Sequence, residues 1–170
     1  QTNLLIPDFS GVWLLTTSSD SIKKNSDKNR VIFFFFFHQE PKLTIKKVIY
    51  KQKNDEPEVE ERVYFTDGRG EKFRTSRLSP NRNVMQVSIN SKTKWNSSET
   101  LIFENYIKVN APVGILPERL FEKWNLSDGG KTLNITVNFF DDNENQVYTS
   151  GNVAPSRFRE WTETYKLLNE

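Results

Sequence analysis

Cysteine is absent from the 170 residues of this chain, and histidine occurs once, at His38. Without cysteine, the chain can form neither a disulfide framework nor a reactive thiolate. A single histidine also excludes a site built from two or three imidazoles, the arrangement that many catalytic zinc centres use. The composition therefore predicts no metal site and no cofactor, and we interpret His38 as a surface or rim residue.

The chain also lacks an excess of one charge and any long apolar run. Lys and Arg total 24 against 22 Asp and Glu, which gives a formal net charge of +2. Nucleic-acid-binding domains usually concentrate positive charge on one face, whereas the two signs are interleaved here, so we expect no nucleic-acid partner. The longest apolar run, Val31–Phe37, is far shorter than the ~20 residues of a membrane span. No transmembrane segment is expected.

Catalytic signatures are missing too. The sequence has no GxSxG nucleophile elbow and no GxxxxGK phosphate loop. Glu60 and Glu61 are neighbours on a predicted strand, so their side chains point to opposite faces and cannot act as a pair. The acidic stretch from Asp141 has oxygen ligands at spacings that suit calcium, but it lacks the EF-hand glycine and distal glutamate. We read it as a solvated loop and predict that the protein is not an enzyme.

Alternation with a period of two is the dominant pattern in the chain. The segment TLNITVNF, for example, places Leu133, Ile135 and Val137 on one face and polar residues on the other. Turn signals such as Asp67-Gly68 and Asp128-Gly129 separate the segments. The pattern predicts one all-β domain over residues 1–170, an antiparallel lipocalin-like barrel of about eight to ten strands.

Three connecting stretches interrupt this pattern. At most one or two short helices are expected, in Ser18–Asn29 and in the connector Ser150–Phe158. The stretch Asn110–Pro117 is predicted to be an irregular link, because its two prolines, Pro112 and Pro117, resist regular strand pairing.

Several motifs carry a resemblance to a known family. The opening PDFSGVWLL contains Gly11-x-Trp13, and it is followed by YFTDGRGEKF, KWNSSETLIFE and EKWNLSDGGKTLNITV in that order. Together they resemble a family of small exported bacterial proteins with lipocalin-like, calycin-type β-barrels, most of them without an assigned activity. The resemblance implies that Trp13 plugs one end of the barrel and that the protein is exported, to the periplasm, the cell envelope or the extracellular space. It also implies a small apolar ligand inside the barrel.

Five phenylalanines in a row, Phe33–Phe37, depart from the alternation. Leaving one face of such a strand in water would forgo several kcal/mol, at about 1.5–3 kcal/mol for each buried Phe, so both faces are expected to be covered. The cover is another segment of the chain, a ligand, or a homodimer partner that packs on Phe34 and Phe36. We assign the odd-numbered row to the inside, because Val31 extends it while His38 ends the other row.

These observations lead to a non-catalytic function. We expect the barrel to bind a small apolar or amphipathic molecule, and the alternative is an envelope or extracellular protein-interaction module with a filled barrel. The predicted ligand-binding residues are the large apolar and aromatic side chains assigned to the inner face: Phe33, Phe35, Phe37, Phe65, Met85, Phe103, Trp124 and Tyr165.

Overall fold

The computed structural model describes residues 6–19, 30–51, 56–79, 81–141 and 157–168. This part of the chain consists almost entirely of antiparallel strands, with a single 3-10 turn at Asp128–Gly130. The strands are β1 Gly11–Ser18, β2 Val31–Gln39, β3 Lys42–Tyr50, β4 Glu58–Phe65, β5 Glu71–Leu78, β6 Val84–Trp95, β7 Thr100–Ala111, β8 Gly114–Ser127, β9 Thr132–Asp141 and β10 Arg157–Leu167.

The ten strands form one sheet that curls into a nearly closed barrel. The order of strands in the sheet is β4-β3-β2-β1-β10-β9-β8-β7-β6-β5. The first strand of the chain, β1, therefore pairs with the last, β10. The two ends of this order, β4 and β5, share no ladder, and side chains span the seam between them. Tyr64 and Phe73 have ring centroids 5.2 Å apart, and the Phe65 N–H donates to Glu71 Oε1 at 2.6 Å. The predicted all-β antiparallel architecture is confirmed.

The core is densest at the end of the barrel where β1 begins. Trp13 is fully buried, and its Nε1 donates to the Phe9 carbonyl at 2.9 Å. Gly11 has a φ of +134°, and a Cβ built on it would lie 2.6 Å from Leu167 Cδ1. A side chain at this position would need a strained backbone and a shift of the Leu167 side chain on β10. The prediction that Trp13 belongs to the core at the barrel end is confirmed.

The face assignment for β2 is wrong. Phe36 is 5% exposed and packs inside against Trp13 and Trp124, whereas Phe35 and Phe37 are 41% and 63% exposed on the outer face. The row that ends in His38 points inward because the interior supplies hydrogen-bond partners for that imidazole. Since Phe36 is buried and Phe34 lines the interior, a dimer interface through these two residues is also wrong.

Burial of both faces of β2 was expected, and for the outer row it is not found. Phe35 pairs across the ladders with Val12 on β1 and with Lys46 on β3, whose Nζ lies 6.0 Å from the ring centroid. These neighbours cover Phe35 only in part, which leaves it 41% exposed.

Two of the predicted connections differ from expectation. Asn110–Pro117 is not an irregular link. Strands β7 and β8 meet in a tight turn at Pro112-Val113, and Pro117, on β8, pairs with Lys108 on β7. The ladder between β8 and β9 ends at Glu118, so β8 is an edge at Pro117, where a residue without an N–H is tolerated. The Asp67-Gly68 turn joins β4 to β5 without the hairpin ladder that was expected.

Three other predicted features lie outside the described residues. They are the loop or short helix in 20–29, the connector over 150–156, and the acidic loop over 142–145. Within the described ranges, no helix is long and apolar enough to cross a membrane.

Candidate functional site

The barrel interior contains a cavity of about 240 Å³. Small-molecule sites typically measure roughly 300–1,000 Å³, so this cavity suits a small or slender molecule. Its wall combines apolar and aromatic side chains with charged and polar ones from β2, β3, β4 and β6 to β10. The lining residues are Phe34, Ile45, Lys47, Glu60, Arg62, Tyr64, Ile89, Asn105, Ile107, Leu120, Glu122, Trp124, Ile135, Val137, Trp161 and Glu163.

Strand β4 supplies much of the polar wall, because its apolar row faces outward. Tyr64 sets this orientation: it is 7% exposed, and its ring meets Phe103 edge-on with centroids 5.1 Å apart. Since successive side chains of a strand alternate between faces, Arg62 and Glu60 then point inward with Tyr64. Val59, on the opposite face, is 55% exposed.

Arg62 is the positive centre of this wall. It forms an ion pair with Glu60, hydrogen bonds with Tyr64, and lies 5.1 Å from the centroid of the Phe73 ring. Burial alone lowers the pKa of Arg62, but Tyr64 and Glu60 outweigh that effect and raise it. Burial raises the pKa of Tyr64 to about 12, opposed by Arg62 and reinforced by the Glu122 and Glu60 carboxylates. At neutral pH the wall therefore holds a guanidinium beside an un-ionised phenol.

A second polar group lies on β10. Glu163 is 7% exposed, and its two carboxylate oxygens accept hydrogen bonds from Tyr165 Oη at 2.8 Å and from Trp161 Nε1 at 3.3 Å. Burial raises the pKa of Tyr165 well above its ordinary value, and the negative charges of Glu163 and Glu122 add to that rise. The phenol thus stays protonated and donates to Glu163 throughout the ordinary pH range.

Two further polar atoms face the interior with no protein partner. Asn105 Oδ1 and Trp124 Nε1 are both buried and make no hydrogen bond. Buried polar atoms are nearly always paired, so these two mark a place in the wall where the protein alone does not complete the hydrogen bonding.

The seam between β4 and β5 forms a second cavity of about 540 Å³. Its lining includes Lys72, Phe73 and Arg74 on β5, and it shares Lys47, Glu60 and Arg62 with the inner cavity. The charged side chains of β3 and β4 therefore lie where the seam meets the barrel interior.

His38 was predicted to be a surface or rim residue; it lies at the Trp13 end of the barrel, but its side chain is not at the surface. Its side chain is 3% exposed; Nδ1 accepts from the Phe9 N–H at 3.3 Å, and Nε2 contacts Glu40 Oε1 at 2.7 Å. Glu40 also accepts from Trp95 Nε1 at 3.0 Å and from Thr66 Oγ1 at 2.6 Å. Burial raises the pKa of Glu40, but these hydrogen bonds outweigh it and lower the pKa overall. This network binds together the chain segments at the Trp13 end.

The predicted ligand-binding residues divide into two groups. Met85, Phe103, Trp124 and Tyr165 lie on the inner face, and Trp124 lines the cavity; their contact with a ligand stays a prediction. Phe33, Phe35, Phe37 and Phe65 lie on the outer face, so their assignment to the interior is wrong. Phe65 instead packs beneath the Arg69 guanidinium, 4.1 Å from the ring centroid.

Sequence reasoning missed the polar side chains of the cavity. Their signal is a polar residue inside an inward-facing apolar row: Asn105 between Phe103 and Ile107, Glu122 between Leu120 and Trp124, and Glu163 between Trp161 and Tyr165. Such interruptions of an otherwise apolar row identify groups that the fold buries together. On β4 no such signal exists, because the apolar row of that strand faces outward.

The described side chains include no group of three His, Asp or Glu placed to hold a metal ion. That the protein has no metal, no cofactor and no enzymatic activity stays a prediction.

Comparisons with known proteins bear on the fold. No family model matches the chain, and a search of curated proteins found no match. Among solved structures, it is similar to the REP1-NXSQ fatty acid transporter, with a TM-score of 0.52 and 10% identity over 96% of this chain and 98% of that one. A point mutant of that transporter matches with a TM-score of 0.51 and 9% identity, over 95% and 98% of the two chains.

A Schistosoma mansoni fatty acid binding protein in complex with arachidonic acid is less similar, with a TM-score of 0.48 and 12% identity over 95% of this chain and 96% of that one. At such identities the likeness shows the fold alone, a nearly closed antiparallel β-barrel. A bacterial origin and export, which the sequence motifs imply, stay predictions.

Proposed function

We propose that this barrel binds a small amphipathic molecule in its inner cavity without catalysing a reaction. The observation that carries the proposal is the composition of the cavity wall. Apolar side chains such as Ile107 and Val137 are combined there with a few buried polar groups, which is the make-up of small-molecule sites in general. The likeness to structures of fatty acid transport and binding proteins supports an amphipathic ligand by analogy of fold.

The polar groups of the wall argue against a filled barrel as the whole function. A core that served stability alone would be apolar, since each buried charge has a desolvation cost. Here Arg62, Glu122 and Glu163 all border the cavity. Buried polar side chains of this kind orient an amphipathic ligand by hydrogen bonding to its head.

Native mass spectrometry of the protein, purified without detergent, tests the proposal directly, because a retained ligand adds its mass. Titration with the neutral dye Nile red then measures binding to the empty protein. Ile107→Phe places a larger side chain on the cavity wall and should lower the dye affinity at least about tenfold. It should cost about 1–3 kcal/mol of stability, as overpacking does, so circular dichroism must confirm that the variant folds.

Lys108→Phe is the matched control, since it adds the same ring one residue away on the exposed outer face. It should leave dye binding unchanged. Equal effects of the two substitutions, or no saturable binding by the unaltered protein, would contradict the proposal.

One observation favours the second candidate, a protein-interaction module. The outer face of β2 exposes Phe35 and Phe37, two positions apart on the same strand. Contiguous exposed apolar side chains often mark interaction surfaces. If this face mediates association, sedimentation velocity should show concentration-dependent self-association that Phe37→Ser abolishes, while dye binding stays intact.

A further inference from the structure

The outer side of strands β5 to β8 exposes aliphatic side chains at the barrel end opposite Trp13. Because neighbouring strands are antiparallel, the β5–β6 and β7–β8 connections both lie at that end. Leu78 pairs with Val84 next to the first connection, and the two are 65% and 64% exposed. Val113, in the second connection, is 77% exposed, and Ile115 just after it on β8 is 63% exposed. Exposed aliphatic side chains that lie together gain free energy from an apolar partner.

The strand register shows what lies behind these four residues, which we call the apolar rim. The next outward row towards the Trp13 end is formed by Ser76, Gln86, Asn110 and Ile115. The row after it is formed by Arg74, Ser88, Lys108 and Pro117. At about 3.3 Å for each residue of a strand, Arg74 and Lys108 lie about 13 Å behind the Leu78–Val84 pair. Two cations therefore follow the apolar rim, with neutral side chains between them and its edge.

Charges that are interleaved along the sequence are separated between the two faces of these strands. The carboxylates of Glu118 and Glu122 on β8 belong to the inward row. Within β5–β8, the one outward carboxylate is Glu104, which forms an ion pair with Lys94 at 3.6 Å. The outward cations of the same four strands are Lys72, Arg74, Lys92, Lys94, Lys108, Arg119 and Lys123. A face with this excess of positive charge attracts an anionic partner.

The combination of an aliphatic rim and a basic face fits a lipid bilayer better than a nucleic acid. Proteins that lie in the membrane interface bury apolar side chains about 5–10 Å deep, up to the boundary between headgroups and acyl chains. Long Lys and Arg side chains behind them extend towards the headgroups. Single-stranded nucleic acids are instead held by aromatic rings that stack on bases. Tyr106, 48% exposed, is the ring of this face that a base would stack on, so RNA is the competing partner in the test.

We propose that the apolar rim binds the surface of a bilayer that contains anionic lipid, with the basic outer face of β5–β8 directed at the headgroups. Leu78, Val84 and Val113 insert at the headgroup–acyl boundary, and Arg74 and Lys108 contact lipid phosphates from behind them. This surface lies on the outside of the barrel, so the inference goes beyond ligand binding in the inner cavity.

Cosedimentation with sucrose-loaded vesicles measures the partition of the protein onto lipid. Vesicles of equimolar phosphatidylcholine and phosphatidylglycerol should bind at least about tenfold more tightly than phosphatidylcholine alone, and added salt should weaken the binding. Arg74→Gln and Lys108→Gln should each lower the partition coefficient about fivefold, because each removes one cation near the surface. Lys131→Gln is the matched control, an exposed position that precedes β9 at the Trp13 end, and it should have no effect.

The absence of cysteine allows a single one to be introduced as a site for a probe. Val113→Cys labelled with the environment-sensitive dye NBD should shift its emission to the blue on the anionic vesicles. Lipids that carry a quencher on the acyl chain should quench that emission. Ser98→Cys, in the exposed turn between β6 and β7 at the Trp13 end, should show neither change. All of the altered positions are exposed, and circular dichroism verifies that the variants fold.

Three results would overturn the inference. The first is no partition onto the anionic vesicles, and the second is an equal response of the probes at residues 113 and 98 or an equal loss from Lys108→Gln and Lys131→Gln. The third is tighter binding to polyuridylate than to the anionic vesicles, with the probe at residue 113 unchanged by lipid, which would assign the basic face to RNA. Each of these results leaves the proposed binding in the inner cavity in place.

Discussion

Three successive phenylalanines on β2 offer a graded test of the fold. Fully burying a Phe side chain is worth about 1.5–3 kcal/mol, and a large-to-small change in a core adds a cavity term. Phe36 is 5% exposed, with its ring 5.1 Å from that of Trp124, so Phe36→Ala should cost about 3–5 kcal/mol.

The outer neighbours should cost less, because solvent fills the space that a truncated surface side chain leaves. Phe35 is 41% exposed, which leaves about three-fifths of the transfer free energy, or about 1–2 kcal/mol. Phe37 is 63% exposed, which leaves about a third, or about 0.5–1 kcal/mol. The expected order of destabilisation is therefore Phe36, then Phe35, then Phe37.

Equilibrium urea denaturation of the three alanine variants measures these free energies, with an unchanged m-value confirming that the transitions are comparable. Far-UV circular dichroism should accompany tryptophan fluorescence, because Phe36 contacts Trp13 and Trp124 and its loss alters the emission of the native state. If Phe37→Ala costs as much as Phe36→Ala, the outer face is covered or the strand is rotated by one residue, and the reasoning fails.

Three further predictions concern the barrel end and the β4–β5 corner. Trp13→Phe should cost about 1–3 kcal/mol in urea denaturation, because it leaves the buried Phe9 carbonyl, now bonded at 2.9 Å, without a donor. Gly11→Ala should cost about 1–3 kcal/mol by the same measurement, since its φ of +134° is strained for alanine and the new Cβ would lie 2.6 Å from Leu167 Cδ1. Glu71→Gln should stabilise the protein by up to about 1 kcal/mol at pH 7, because it removes the negative charge of a partly buried carboxylate while keeping an oxygen to accept from the Phe65 N–H. Burial raises the pKa of Glu71 in the folded protein. The ionised carboxylate therefore lowers the free energy of unfolding as the pH rises from the unfolded-state pKa through the folded-state pKa. Below about pH 4 the carboxyl group is protonated in both states, so the gain from Glu71→Gln should vanish.

Each of these three predictions has an outcome that would contradict it. A midpoint unchanged by Trp13→Phe would show that the indole hydrogen bond contributes nothing. For Gly11, an alanine variant as stable as the unaltered protein would refute the strain predicted there. Gly114→Ala, at a similar φ of +125° and with no atom within 4 Å of the added Cβ, measures the cost of that backbone conformation alone. A gain from Glu71→Gln that is equal at pH 4 and pH 7 would exclude ionisation as its cause.

The strands and most turns could be predicted from the sequence, because alternation and turn residues are local properties. The inner rows of β7 and β9 contain at most one polar residue and those of β6 and β8 are mostly apolar, so their inward faces were identifiable as well. The inward faces of β2 and β4 were not identifiable, because both rows of β2 contain large apolar side chains and the apolar row of β4 faces outward. A shift of one residue in the register of a strand exchanges its inward and outward rows. In β2 and β4 no local signal decides which row is inward.

The tertiary structure decided those faces through contacts between residues far apart in the chain. His38 turns inward, where the N–H of Phe9 donates to its Nδ1 from 29 residues away in the chain. On β4, the Tyr64 ring packs on Phe103, and that contact carries Arg62 into the interior. The closure of β1 on β10, the unpaired seam between β4 and β5, and the polar cavity beside it all depend on such long-range pairing. Alternation along one strand determines that it has two faces, and only packing against the other strands determines which of them is inside.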